Sequence, residues 1–477
     1  MDAAIIYWGR IFMKKKLVSI PALFSAVLLV STLSGCGGAE PAKTDNAAAA
    51  GQPAQKTAPS EPSASSQIKP AKITWWAAWA EDQGPAEMIK KFNQKYPQIK
   101  VEYVQFTNSD EGNVKVDTSL VAGQQIDVFF NYGLPRLEAR AKKGVLQDLN
   151  EFLTKDKVDV AGEFGQETFQ IDGKYYGLPA TSLIDAVFIN KKMLDAAGLK
   201  VPERWTLDEY AEYAKALTKG EGSSKIYGSS DYLSNYYWTN PVRGLLGSNA
   251  WYKSDGTSNF DHPAYKKALE FKNKIENVDK YQYPYTEYKS TKSSTNELFI
   301  QGKMAMAVNS NSVARFISNT KDYPRDFLVT VAPLPTLEKD QKEVYTNGLR
   351  HFGYLAMNKN TKEKEASWLF LKWLSTEGSV DLAQVGHIPT WKKNNKDAIA
   401  AIMLGPNADK VVDVETFKRV ILNYDAKSYT DTIYTAYNEV NKILQDEAEK
   451  ALFGISSIDD ALKEMKKKAD QAIKAAK

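Results

Sequence analysis

Apolar positions between residues 73 and 130 alternate between two periods. Ile73 to Trp76 is a short apolar run that reads as a strand. Met88, Ile89, Phe92 and Tyr96 then fall on one face of a helix, which Pro97 stops. Val101 to Phe106 reads as a second strand. Ile126 to Phe130 reads as a third, apolar enough to be buried on both faces. Helices placed between strands predict right-handed βαβ crossovers and an α/β fold built on mainly parallel sheets.

The middle of the chain turns on Phe169 to Asn190. Asp172-Gly173 lies between two short apolar and aromatic runs, a hairpin signal because the turn needs positive φ. Pro179 is expected to end the second of those strands, since it has no ladder donor. Ala186 to Ile189 reads as a new strand, and Lys191 to Ala197 as a helix stopped by Gly198. Longer helices follow. Thr206-Leu-Asp-Glu209 is a capping box for a helix to about Leu217, and Pro263 suits the first turn of one reaching Glu276. Asn296–Ile300 reads as a short helix, and Met304–Val308, Phe327–Val331 and Phe352–Met357 as strands. Asn360 to Glu363 is expected to cap a helix through Leu374, with Trp368 and Trp373 in the core. Ser457 caps the last helix, whose Ile458, Leu462, Met465, Ala469 and Ile473 form one apolar stripe. No internal repeat is visible.

The first seventy residues follow other rules. Lys14-Lys15-Lys16 precedes an apolar run from Leu17 to Leu33, which reads as an export signal over 1–35. Met1–Phe12 adds nothing such a signal needs, so Met13 is a candidate start. Leu33-Ser34-Gly35-Cys36 resembles a bacterial lipobox, which implies cleavage before Cys36 and a diacylglycerol and palmitate anchor on its thiol. Residues 36–71 are rich in Ala, Pro, Ser and Gly and cannot bury enough apolar area to order themselves. They read as a tether.

Composition narrows the function classes. A length of 477 residues suggests two or three domains, and 43% hydrophobic content is globular. The net charge of +4 is carried mostly by the leader, and no basic stripe with interleaved aromatics is present, so no nucleic-acid partner is expected. Cys36 is the single cysteine, and the three histidines, His262, His351 and His387, are widely spaced. No metal site and no cofactor are expected. There is no Gly-x-Ser-x-Gly elbow, Walker A loop, dinucleotide fingerprint or His-Glu-x-x-His.

Several stretches carry a resemblance in the same order. They are Ile73-Thr-Trp-Trp76, Phe92 to Val101, Asp172-Gly-Lys-Tyr-Tyr-Gly-Leu-Pro179, Phe299 to Met306 and Gly348-Leu-Arg-His-Phe-Gly353. Together they resemble the extracellular solute-binding proteins of ABC importers, in particular the sugar-binding branch (family 1), over about Lys72 to Trp391. The resemblance implies a two-lobed, type II periplasmic-binding-protein-like fold with three interdomain crossings, expected near 181–186, 308–312 and 353–359. Lobe one would be 72–181 and 312–353, and lobe two 186–308 and 359–477. It also implies a non-enzymatic, monomeric lipoprotein on the extracytoplasmic face of the cell membrane. Such a protein takes a carbohydrate, an oligosaccharide by preference, and passes it to the permease subunits. A surface glycoside hydrolase, a scaffolding lipoprotein and a receptor for a non-sugar solute are the competing classes.

Aromatic and amide residues at strand ends supply the candidate site. A sugar has an apolar C–H face and a polar rim, so a flat ring covers the first while amides, carboxylates and Arg pair with the second. Alternation along the first strand sends one of Trp75 and Trp76 into the core, which leaves Trp79 and Glu81 for the ligand. The resemblance places Asn131 and Tyr132 at a cleft-facing turn, Asp185 at the first crossing, and Asn309 and Asn311 at the second. Tyr232, Asn235 and Trp238 form an aromatic–amide group, and Arg350 and His351 precede the third crossing. Arg350 could fork to two hydroxyls.

Overall fold

The computed structural model describes residues 68–165, 168–230, 237–291, 293–342, 344–345, 352–423, 427, 429 and 431–477. Cys36, Tyr232, Asn235, Arg350 and His351 lie outside them, as do the leader and most of the tether. All described residues belong to one compact unit, Pro62–Lys477.

Two sheets organise this unit. The first has the order β10 (Ile388–Pro389), β4 (Leu178–Ser182), β9 (Gly353–Met357), β3 (Val128–Tyr132), β1 (Ala71–Ala77), β2 (Ile99–Gln105). The second runs β6 (Tyr227–Ser230), β7 (Met304–Ser310), β5 (Asp185–Asn190), β8 (Val329–Ala332). β1 is parallel to β2 and β3, and β6 to β7, but every other pairing is antiparallel. The sheets are therefore mixed rather than mainly parallel. The crossings are the cause. β1, β3 and β4 end at the boundary between lobes, whereas β9 starts there and must run the other way. β5 likewise starts where β7 ends.

The cores redraw the expected lobes. Val313, Ala314, Ile317, Phe327, Val329 and Val331 pack with Ala186 and Phe188 of β5, so residues 312–345 belong to lobe two. Trp368, Phe370, Leu371, Trp373 and Leu374 pack with Trp75 and Phe92, so Phe352 to Trp391 return to lobe one. Trp75 meets Phe370 edge-on at 5.5 Å, and Phe92 meets it at 4.9 Å. The chain thus crosses at 183–184, between Tyr345 and Phe352, and just beyond Trp391. The last two differ from the expected 308–312 and 353–359. Hydrophobic period identifies Phe327–Val331 as a strand, but nothing local says which sheet it joins.

Local chemistry explains several elements. Thr206 Oγ1 accepts from the Glu209 amide at 3.2 Å, and the Glu209 carboxylate accepts from the Thr206 amide at 2.7 Å, the reciprocal pair a capping box requires. Asp172 and Gly173 both have positive φ, 51° and 74°, and Ile171 bridges Lys174. This is a tight turn with one bridge, not a hairpin of two full strands. Pro179 sits inside β4 instead of ending it, and the ladder to β9 shifts register between Pro179 and Thr181. An irregularity is where a sheet tolerates proline. The helix expected to be capped by Asn360–Glu363 runs Lys364–Ser375, and Glu363 makes no side-chain cap. Ile458–Ala475 buries Leu462, Met465, Ala469 and Ile473 on one face.

Candidate functional site

The boundary between the lobes is built from crossing segments and the loops beside them. Its floor centres on Asn311, just after β7 and fully buried. The Asn311 Oδ1 accepts from the Ile184 amide at 2.6 Å, and its Nδ2 donates to the Gly386 carbonyl at 2.6 Å. Its backbone amide also donates to the Ile184 carbonyl at 2.9 Å. One side chain therefore joins the first crossing to the segment that precedes β10. The residues Glu377–Val385 lie against both cores, with Leu382 and Val385 in that of lobe one and Ala383 in that of lobe two. Asn311 therefore ties these two segments together through one accepted and one donated side-chain hydrogen bond.

On the lobe-one side, Trp79, Phe130, Tyr132, Phe352 and His387 form an aromatic cluster. Trp79 is 7% exposed and meets Phe130, Tyr132 and His387 edge-on at 4.7, 5.8 and 5.6 Å. The Tyr132 hydroxyl accepts from the Ala78 amide at 2.8 Å, and burial pushes the phenol's pKa well up. Burial, and then the charge of Arg315, pull His387 down to about 3, so it is neutral. Asn131 points the other way, as alternation along β3 requires. Its Oδ1 accepts from Arg140 Nη1 at 2.7 Å, in a network where Arg140 also holds Asp117 and Asn113. Trp79, Tyr132 and Asn131 are thus buried in lobe one, Trp79 and Tyr132 in the aromatic cluster and Asn131 held by Arg140. Among the described lobe-one candidates, only Glu81, exposed in the turn Glu81–Gln83, keeps its side chain in solvent.

Lobe two shows a similar sorting. Asp185 opens β5 opposite Ser310, half-buried, and Asn240 Nδ2 donates to its carboxylate at 3.4 Å. It lines a crevice with Pro241, Gly244, Pro333 and Tyr345. Asn309 is buried and bonded to Asn296, Nδ2 to Oδ1 at 2.5 Å, while its own Oδ1 accepts from the Ser310 amide at 2.9 Å. Trp238, 3% exposed, meets Tyr265 at 6.0 Å and lines a pocket of about 50 Å³. Asn309 and Trp238 are thus buried in lobe two.

The group that reaches across the boundary was not anticipated. Tyr434 packs against the core of lobe one and meets Phe169 edge-on at 5.8 Å. On its own side it meets Tyr437 at 5.5 Å, and Tyr437 stacks on Trp251 at 5.1 Å and 18°. Beneath them Arg243 Nη2 donates to Asp431 Oδ2 at 2.7 Å, with the Tyr429 and Trp251 rings 5.0 and 5.5 Å from its guanidinium. Burial works against the Arg243 charge, but Tyr429 and Asp431 outweigh it and the group stays protonated. Burial also raises the Tyr434 phenol far above its ordinary range. The sequence does carry a signal for this wall, tyrosines at 429, 434 and 437 around Asp431. Flat rings with a polar margin at an interlobe boundary are suited to a ligand that has an apolar face and many hydroxyls. Among the described residues, no group of three His, Cys, Asp or Glu side chains could hold a metal, and no helix is long and apolar enough to cross a membrane.

Residues 76–381 match the sequence model of the family described as bacterial extracellular solute-binding protein. The maltotriose-binding protein of Pyrococcus abyssi is 27% identical over 276 residues, 57% of this chain and 56% of that relative, so the match spans just over half of it. The mannitol-binding protein of Pseudomonas aeruginosa is 22% identical over 71% of this chain and 76% of its own. Among solved structures, the ABC substrate-binding protein of Listeria monocytogenes in complex with cycloalternan aligns with a TM-score of 0.68. It is 22% identical and covers 85% of this chain and all (100%) of its own. A Rhizobium etli sugar transporter in an open conformation aligns equally well, TM-score 0.68 at 21% identity, over 85% of this chain and 99% of its own. These likenesses establish the two-lobed fold.

Proposed function

This chain belongs to the bacterial extracellular solute-binding protein family, and from that premise we propose that it captures a carbohydrate, an oligosaccharide by preference, between its lobes. It then presents the sugar to the permease of an ABC importer, and binds without turning it over. The observation that carries the reading is the tyrosine wall of lobe two, Tyr434 and Tyr437 over Arg243–Asp431, facing Phe169 of lobe one. Asp185 and Glu81 are the acidic groups placed to meet hydroxyls from the two sides. The maltotriose, mannitol and cycloalternan in the names of similar proteins support a sugar over a peptide or an anion. The anchor rests on Lys14–Lys16, the apolar run and Cys36; two acyl chains hold a protein to a bilayer where one barely does.

A thermal-shift panel of mono- and oligosaccharides tests the ligand class. A sugar at 100 times its dissociation constant stabilises the fold by about 2.7 kcal/mol through mass action. Stabilisation by an amino acid, polyamine or anion, with none by any sugar, would overturn the reading, and release of shorter sugars would revive the hydrolase. The same preparation made as Cys36→Ala should partition into the soluble fraction; retention on washed membranes would remove the lipid anchor from the account.

A further inference from the structure

Residues 431–436 carry the wall yet form no helix or strand of their own before the helix Tyr437–Leu452 begins. Ile433 and Ala436 pack against the lobe-two core, and side chains of residues 243–252 supply the segment's hydrogen bonds. The Asp431 carboxylate accepts from Arg243 through Oδ2 and, at 2.6 Å, from the Asn249 amide through Oδ1. Asn249 answers with its own Oδ1, which accepts from the Thr432 and Ile433 amides at 2.7 and 3.1 Å. The Tyr252 hydroxyl donates to the Thr435 carbonyl at 3.0 Å, and that of Tyr434 to the Asp431 carbonyl at 2.7 Å. Arg243 is the charged member, 8% exposed, clamped between two rings and paired with a carboxylate whose side chain is 13% exposed. A cation this deeply buried is a poor way to gain stability alone, because apolar residues of similar volume often do as well. What it supplies is one fixed position for Asp431, and therefore for the tyrosine whose hydroxyl closes onto the Asp431 carbonyl.

We infer that Arg243 is a positioning residue for the interlobe ligand wall, acting through Asp431 to set where Tyr434 stands against lobe one. This rests on the sugar-binding reading only for its consequence in affinity; the positioning itself is a property of the free protein. Specificity would then depend on a residue that touches no ligand. Substitutions at Arg243 or Asn249 should shift the wall and change which oligosaccharide fits.

Two measurements on the full chain test this. Amide hydrogen exchange without ligand should speed up across 431–436 in Arg243→Gln, while the helices Pro263–Asn273 and Ile458–Ala475 keep wild-type protection. With a sugar identified by the panel, Arg243→Gln should weaken binding about tenfold, and Arg243→Gln combined with Tyr434→Ala should bind no worse than Tyr434→Ala, because coupled residues share one loss. Arg243→Lys, which keeps the charge but not the planar fork, should recover part of the affinity. If Arg243→Gln does not fold, Asn249→Ala goes through the same exchange and binding tests, since it unties Thr432 and Ile433 without leaving a buried charge. Unchanged exchange in 431–436, or losses that simply add in the double mutant, would overturn the positioning role. A wild-type protein that binds no sugar would instead count against the functional reading, and the exchange experiment would still decide this one.

Discussion

His387 shows how a single residue at the lobe boundary couples burial to pH. Its ring lies against Trp79 and Phe352, at 5.6 and 5.9 Å, and its Nδ1 has no partner among the described residues. The folded-state pKa, about 3, lies below the unfolded value near 6.5. Between those values the unfolded chain binds the proton and the folded chain does not, so stability falls as pH drops from about 6.5 toward 3. His387→Phe should flatten the dependence of unfolding free energy on pH in that window, measured by urea titration at several pH values. An unaltered slope would mean His387 is solvated. The same scale explains why the candidate site was only partly legible. Trp79, Asn131 and Trp238 are the residue types a sugar site needs, but composition does not reveal which face of a strand or helix each occupies. Asn131 belongs to Arg140, and that partner comes from the next helix through tertiary packing.

At the scale of elements, one side-chain amide, that of Asn311, ties the first crossing to the segment before β10. Asn311→Ala would leave the Ile184 amide and the Gly386 carbonyl without their side-chain partner, at a cost of about 2 kcal/mol if both stay dry. Urea unfolding should show a lower midpoint at an unchanged slope, and stopped-flow binding should show altered closing and opening rates. Wild-type stability together with wild-type rates would mean that this tie bears on neither. Elements fixed by neighbours in sequence were readable: the box at Thr206–Glu209, the cap at Ser457, and the turn at Asp172–Gly173. Strand partnership was not. β8 joins β5 of lobe two through contacts more than a hundred residues apart in the chain, and β9 then returns to lobe one. Loop closure over such spans costs little per residue added, so sequence distance places almost no limit on pairing.

For the whole molecule, two lobes are linked by three passages of chain, and the proposed function puts the ligand where they face each other. The order of landmarks along the sequence was enough to read that bilobal plan. The lobe boundaries were not, because residues 312–345 and 359–391 exchange lobes relative to the expected division. A ligand gripped by Tyr434 on one side and by lobe one on the other favours the closed arrangement by its difference in affinity for the two states, and by nothing else. Small-angle scattering measures this most directly. With the oligosaccharide that stabilises the fold added to saturation, the radius of gyration should fall. A saturated complex with the radius of gyration of the free protein would contradict closure around the ligand and leave a preformed pocket in its place.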